Sequence, residues 1–240
     1  MMMKKTDSLD DQVTEVITRL KKLSSKSTRE GMSRYGLPSD NAFGVPVGKM
    51  QQLAKQVGRN HELAEALWVT GFYEARMMAA FVDEPLRVTP AQMDRWCRDF
   101  DNWGIVDTVC FKLFDKTPHA WKKVVQWSKR RDEFQRRAAF ALLACLGVHD
   151  KTASNEQFLR CLPLIEEAAT DERNFVKKGV SWALRVIGRR NAELNEACVV
   201  LAKQLASSTN TTSRWLGKEA LREFGTPVVV RQLQKRGKRK

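Results

Sequence analysis

Glycine and proline are scarce in this 240-residue chain, at 13 and 7, so few positions interrupt a helix and little turn chemistry is available for building a sheet. Cysteine pairing signals are also missing. The five cysteines (Cys97, Cys110, Cys145, Cys161, Cys198) are odd in number and show no Cys-x-x-Cys spacing. Neither a disulfide framework nor a zinc site is indicated, and the expectation is buried free thiols in a reducing cytosol. The three histidines (His61, His119, His149) are scattered and match no metal-ligand or triad spacing, so no metal is expected. No Gly-rich phosphate loop of the GxxxxGK or GxGxxG kind occurs, which removes support for a nucleotide cofactor. Long apolar runs are absent as well: Ala138 to Val148 is too short to span a bilayer, and Met1 to Asp7 has no apolar leader segment. No membrane partner and no cofactor are expected, and the expected location is the cytoplasm, on the nucleoid when DNA is bound.

What remains is helix-forming and basic. Apolar residues make up 42% of the chain, enough for a buried core, and Leu, Ala, Arg and Lys are abundant, which points to an all-α fold. The formal charge is +14, from 42 Lys and Arg against 28 Asp and Glu. A surface so unbalanced suits a polyanion, and nucleic acid is the natural one. The last ten residues, Arg231 to Lys240, hold six of the cations and form a frayed tail behind a domain of residues 1–230.

In chain order, Asp10 to Leu23 reads as an amphipathic helix with Val13, Val16, Ile17, Leu20 and Leu23 on one stripe. A Ser, Arg and Gly loop carries Met32-Ser-Arg-Tyr35, and Gly44-Val45-Pro46 opens the next helix. Tyr35 either plugs a helix seam or stands at a ligand surface. From Leu63 the helices come in pairs, and Phe134, Phe175 and Trp215, spaced 41 and 40 apart, open successive second helices at the period of HEAT-type repeats. Trp103, midway between Phe72 and Phe134, opens a further unit. The expected architecture is an α-solenoid of HEAT-like helix pairs, one curved domain with a basic concave face. Equivalent positions in successive repeats then hold Asp107, Arg137, Lys178 and Lys218, one carboxylate in a row of cations. An acid in a trough built for phosphates needs a reason, and Trp103, four residues before it, shares its helical face.

These segments carry a resemblance. The chain is similar, over nearly its whole length, to the DNA alkylation repair glycosylases of the AlkD type, which are built from HEAT-like repeats. Trp103-Gly-Ile-Val106-Asp107 matches the family segment that supplies the catalytic aspartate and a neighbouring tryptophan. Arg136-Arg137-Ala138-Ala139 matches the segment whose arginine contacts the DNA backbone, which places that arginine at Arg137. Ser181-Trp182-Ala183-Leu184-Arg185 resembles the segment that supplies a second tryptophan, and Met32-Ser-Arg-Tyr35 looks like the N-terminal motif. Two positions depart from the pattern: Asn102 stands where the family often has another tryptophan, and Gly104 replaces a polar residue.

The resemblance implies hydrolysis of the N-glycosidic bond of cationic N3- or N7-alkylpurines in duplex DNA, without base flipping. Asp107, Trp103 and Trp182 would form the catalytic set. Arg137, Tyr35, Arg136, Lys178, Arg185 and Lys218 would hold the DNA, and a monomer suffices. Two other readings fit the same charge and fold: a non-catalytic HEAT-repeat protein that binds DNA or RNA, and a scaffold for an acidic partner protein.

Overall fold

In the computed structural model, which describes residues 8–237, every regular element is helical, and no strand occurs among those residues. Met1 to Asp7 and the last three residues of the basic tail lie outside the described part. The chain falls into two compact units, residues 1–119 and 120–240. No helix among the described residues is long and apolar enough to cross a membrane.

The first unit begins with α1 (Leu9–Lys22), where Ser8 accepts the Asp11 amide at 3.2 Å and Val16 and Leu20 are buried. The next stretch, expected to be a loop, contains α2 (Lys26–Met32) and a 3-10 turn over Ser33–Tyr35. Ser25 makes the difference: its hydroxyl accepts the Thr28 amide at 3.4 Å and starts a helix that apolar periodicity does not announce. Gly36, at φ 66°, ends the turn. α3 (Val47–Val57) follows Pro46, as the Gly-Val-Pro signal predicts. Then come α4 (His61–Val69), α5 (Tyr73–Val82), α6 (Pro90–Arg98) and α7 (Trp103–Lys112). The centre is α5, which packs on α3, α4 and α7 and buries Ala75, Met77, Met78, Ala79, Ala80 and Val82. Trp68 of α4 and Trp96 of α6 stack at 4.0 Å with planes 4° apart. Their indole N–H groups donate to Asp99 (2.8 Å) and Glu65 (3.0 Å), so both rings are buried without an orphaned donor.

The second unit comprises α8 (Ala120–Trp127), α9 (Glu133–His149), α10 (Asn155–Leu159), α11 (Leu162–Ala168), α12 (Asn174–Gly188), α13 (Ala192–Ala206), α14 (Thr211–Phe224) and α15 (Pro227–Gly237). The apolar run that is too short for a membrane is the core stretch of α9, buried from Ala138 to Gly147. It packs along α12, and the helices approach closely at Gly147, where an added Cβ would lie 2.6 Å from Val186 Cγ1. α13 packs on α14 at Gly217, where a Cβ would sit 2.5 Å from the Ala202 carbonyl oxygen. The 40-residue period is realised in α9, α12 and α14, which carry Phe134, Phe175 and Trp215 in their first or second turns. The basic end starts as helix rather than frayed chain, since α15 runs to Gly237.

An ion network locks α9 to the segment before α12. Asp171 accepts from Arg136 at 3.0 Å and from Arg173 at 2.6 Å, and Arg173 also donates to the Arg131 carbonyl at 2.5 Å. Burial alone would raise the Asp171 pKa, but hydrogen bonds from Arg173 and the charges of Arg173 and Arg136 outweigh it and hold the carboxyl below its usual range. A depressed folded pKa contributes stability that is complete above the unfolded value, about 3.9, and is lost as pH falls through the folded one. Asp171→Asn should therefore lower stability at pH 5 to 7, and the gap from the wild type should shrink below about pH 4. Urea unfolding across that range measures it, and a gap that stays constant down to pH 3 would remove the carboxylate as its source.

Candidate functional site

The start of α7 is built by Asn102. Its extended backbone precedes the helix and its side-chain oxygen accepts the Ile105 amide at 3.0 Å, while its amide nitrogen donates to Asp101 at 2.6 Å. The residue that breaks the family pattern is thus the N-cap of the helix carrying the candidate acid. Ile105, Val106, Val109 and Cys110 face the core, which leaves Trp103 and Asp107 half-buried, one turn apart. The Trp103 indole N–H donates to the Tyr35 carbonyl at 2.7 Å, which orients the ring and ties it to the 3-10 turn. Tyr35 itself is 69% exposed, so it does not plug a seam.

Beside this turn is a cavity of about 360 Å³ lined by Met32, Tyr35, Leu37, Val45, Tyr73 and Glu74 among others. Glu74 is fully buried and accepts three amides of the loop before α3: Phe43 at 2.9 Å, Gly44 at 2.7 Å and Val45 at 3.0 Å. Gly44 has φ 80°, and a Cβ there would lie 2.6 Å from the Ser25 carbonyl, so the loop runs backbone to backbone against α2. Burial pushes the Tyr73 phenol up to about 12. Sequence reasoning missed Leu37, Tyr73 and Glu74. The available signal was Glu74 itself, an acid in the first turn of the largely apolar Tyr73–Val82 helix, which must find donors if buried.

In the second unit the predicted cations divide. Lys178 on α12 and Lys218 on α14 are exposed. Arg136 is engaged by Asp171, and Arg185 by Glu223 at 2.5 Å and the Ser181 carbonyl at 3.2 Å. Arg137 requires a correction: expected on the surface, it is 6% exposed, and its guanidinium donates to the Phe175 carbonyl at 2.7 Å. Its position on α9 faces the crossing with α12, where Gly179 leaves room for its side chain. Trp182, also on α12, is half-buried. The charge is as unevenly divided as the roles. Residues 1–119 hold 17 Lys and Arg against 16 Asp and Glu, whereas residues 120–240 hold 25 against 12, so nearly the whole excess belongs to the second unit.

A family model described as DNA alkylation repair enzyme matches residues 16–224. Among solved structures, one described as belonging to a new family of proteins related to the HEAT-like repeat DNA glycosylases, with affinity for branched DNA structures, superimposes with a TM-score of 0.73 at 23% identity. It covers 88% of this chain and 94% of its own. That likeness establishes the HEAT-like fold. A designed armadillo repeat protein in complex with the peptide (KR)4 aligns at a TM-score of 0.38 and 14% identity, covering 96% of this chain and 88% of its own. No curated protein matches this sequence.

The fit at the start of α7 has a measurable consequence. A Cβ at Gly104 would lie 2.8 Å from the Tyr73 hydroxyl and 2.9 Å from Leu37 Cδ2, so Gly104→Ala must displace two residues that line the cavity. The expected net loss is about 1 kcal/mol, the overpacking cost exceeding the helical gain of alanine. Gly31→Ala on α2, where nothing lies within 4 Å, is the control and should raise stability. Thermal unfolding of the pair decides it: equal shifts would mean that Tyr73 and Leu37 yield freely.

Proposed function

The chain belongs to the DNA alkylation repair enzyme family, and from that premise we propose that it is a DNA glycosylase hydrolysing the N-glycosidic bond of cationic N3- or N7-alkylpurines in duplex DNA. The observation that carries the reading is the half-buried pair Trp103 and Asp107 on α7, with the indole held by the Tyr35 carbonyl.

The chemistry follows from the leaving group. A purine alkylated at N3 or N7 is a cation, so when the C1′–N9 bond breaks its electron pair neutralises the departing base and no general acid is needed. Positive charge passes to the sugar as an oxocarbenium-like species. The Asp107 carboxylate stabilises that charge and takes the proton of the water that attacks C1′, leaving free base and an abasic sugar. The Trp103 ring face attracts the same cation through its quadrupole, by about 0.5 to 2 kcal/mol. The lesion is engaged from the backbone side, without flipping.

Duplex DNA is gripped by the basic unit. Exposed Lys178 and Lys218 contact phosphates, Trp182 packs on the DNA backbone, and Arg136, Arg137 and Arg185 hold the helices that present them. The protein acts as a monomer without cofactor.

Two experiments test this. Release of 7-methylguanine from a duplex should fall at least about 100-fold in Asp107→Asn, the scale of losing one transition-state electrostatic contact, with duplex affinity retained. Excision that survives would take Asp107 out of the mechanism; no release even by the wild type, with tight duplex binding, would favour a non-catalytic DNA binder. Separately, Lys178→Ala and Lys218→Ala should each reduce the log–log salt slope of duplex binding by about 0.9. Unchanged slopes would place the phosphates elsewhere.

A further inference from the structure

Three aromatic rings of the second unit recur at the openings of its repeated helices without being core residues. The core is supplied by their neighbours: Val176, Val180, Leu216 and Ala220 are fully buried, whereas Phe134 and Phe175 are half-buried and Trp215 is 40% exposed. The rings of Phe134 and Phe175 lie 5.3 Å apart, and the Lys177 ammonium lies 5.7 Å from the Trp215 ring, linking α12 to α14.

The backbone that carries the Phe175 ring is held in place. The Phe175 amide donates to Glu133 at 3.1 Å and its carbonyl accepts from Arg137 at 2.7 Å, so two residues one turn apart on α9 clasp it from both sides. At the preceding turn, Asp171 is gripped by Arg136 and Arg173. A ring carried on backbone fixed in this way loses less entropy when a ligand stacks on it. The ligand must offer flat faces and negative charge, since the unit around the rings holds 25 cations against 12 acids and exposes Lys178 and Lys218 on the same two helices. A paired duplex hides its base faces inside its own stack, whereas an unpaired strand presents them.

We propose that Phe134, Phe175 and Trp215, with Lys177 beside them, form a stacking surface for the unpaired bases of a DNA strand. With its ammonium 5.7 Å from the centre of the Trp215 ring, Lys177 supplies a cation to pair with a phosphate of the stacked strand. The surface lies within the second unit and does not require the glycosylase reading, which rests on Trp103 and Asp107 of the first. It equips the second unit to hold single-stranded segments flanking a duplex.

The test uses the full chain and a 5′-labelled 20-residue oligodeoxythymidine, with a blunt duplex of equal length in parallel. Trp215→Ala should weaken single-strand binding about tenfold, the scale of one lost base stack, and change duplex affinity less than twofold. Trp215→Phe keeps a ring, so it should retain affinity while the quenching of protein fluorescence by the strand diminishes. Equal losses on strand and duplex in Trp215→Ala, no loss on the strand, or full quenching in Trp215→Phe would each overturn the proposal. Base release from alkylated duplex, followed in the same variants, should be unaffected. Its absence in the wild type would count against the glycosylase alone, and its loss together with strand binding would merge this surface with the catalytic one and overturn it as a separate site.

Discussion

A charged group buried between helices is tolerated only where hydrogen bonds replace the water it has lost, and each unit of this protein contains one that fixes a functional segment. In the second unit it is Arg137, whose guanidinium holds the Phe175 carbonyl while Glu133 holds the amide of the same residue. In the first it is Glu74, whose carboxylate gathers the amides of Phe43, Gly44 and Val45 and so determines the loop over the cavity. Each sets how a neighbouring stretch of backbone is held. An apolar residue of equal volume could match either for stability, because ion burial itself costs so much; it could not reproduce the direction in which the backbone is held.

Much of the architecture was legible in the sequence. The Phe134, Phe175 and Trp215 spacing located α9, α12 and α14, and Gly44-Val45-Pro46 located the start of α3. Two kinds of information were not accessible. α2 was hidden because a short helix started by a Ser25 hydroxyl has too few residues to show an apolar stripe. The place of Arg137 was misread because a helix crossing, not a repeat register, decides which face of α9 is covered, and an arginine whose neighbour across the crossing is Gly179 can lie in the seam. Sequence order places equivalent residues at equivalent heights along a repeat; only packing says which of them see water.

The same limit applies to the candidate acid. Trp103 and Asp107 share a helical face, which the four-residue spacing implies, but the donor-acceptor pair that orients the indole joins residues 68 apart in sequence. No local pattern links Trp103 to the Tyr35 carbonyl. Gly104 is likewise intelligible only once Tyr73 and Leu37 stand against it, where a departure from the family pattern becomes a steric requirement.

The division of charge separates holding from chemistry in their response to solvent. The excess of cations belongs to residues 120–240, and Lys178 and Lys218 stand exposed in water, where added salt screens them within about 8 Å at physiological ionic strength. Asp107 is half-buried in a unit whose charges nearly cancel, and in the proposed mechanism its carboxylate would act on a developing oxocarbenium at contact distance, where screening is weak. On that proposal salt would act on how long the DNA is held far more than on the rate at which a held lesion is cleaved. A protein so divided can vary its affinity through lysines in one unit without touching the carboxylate in the other.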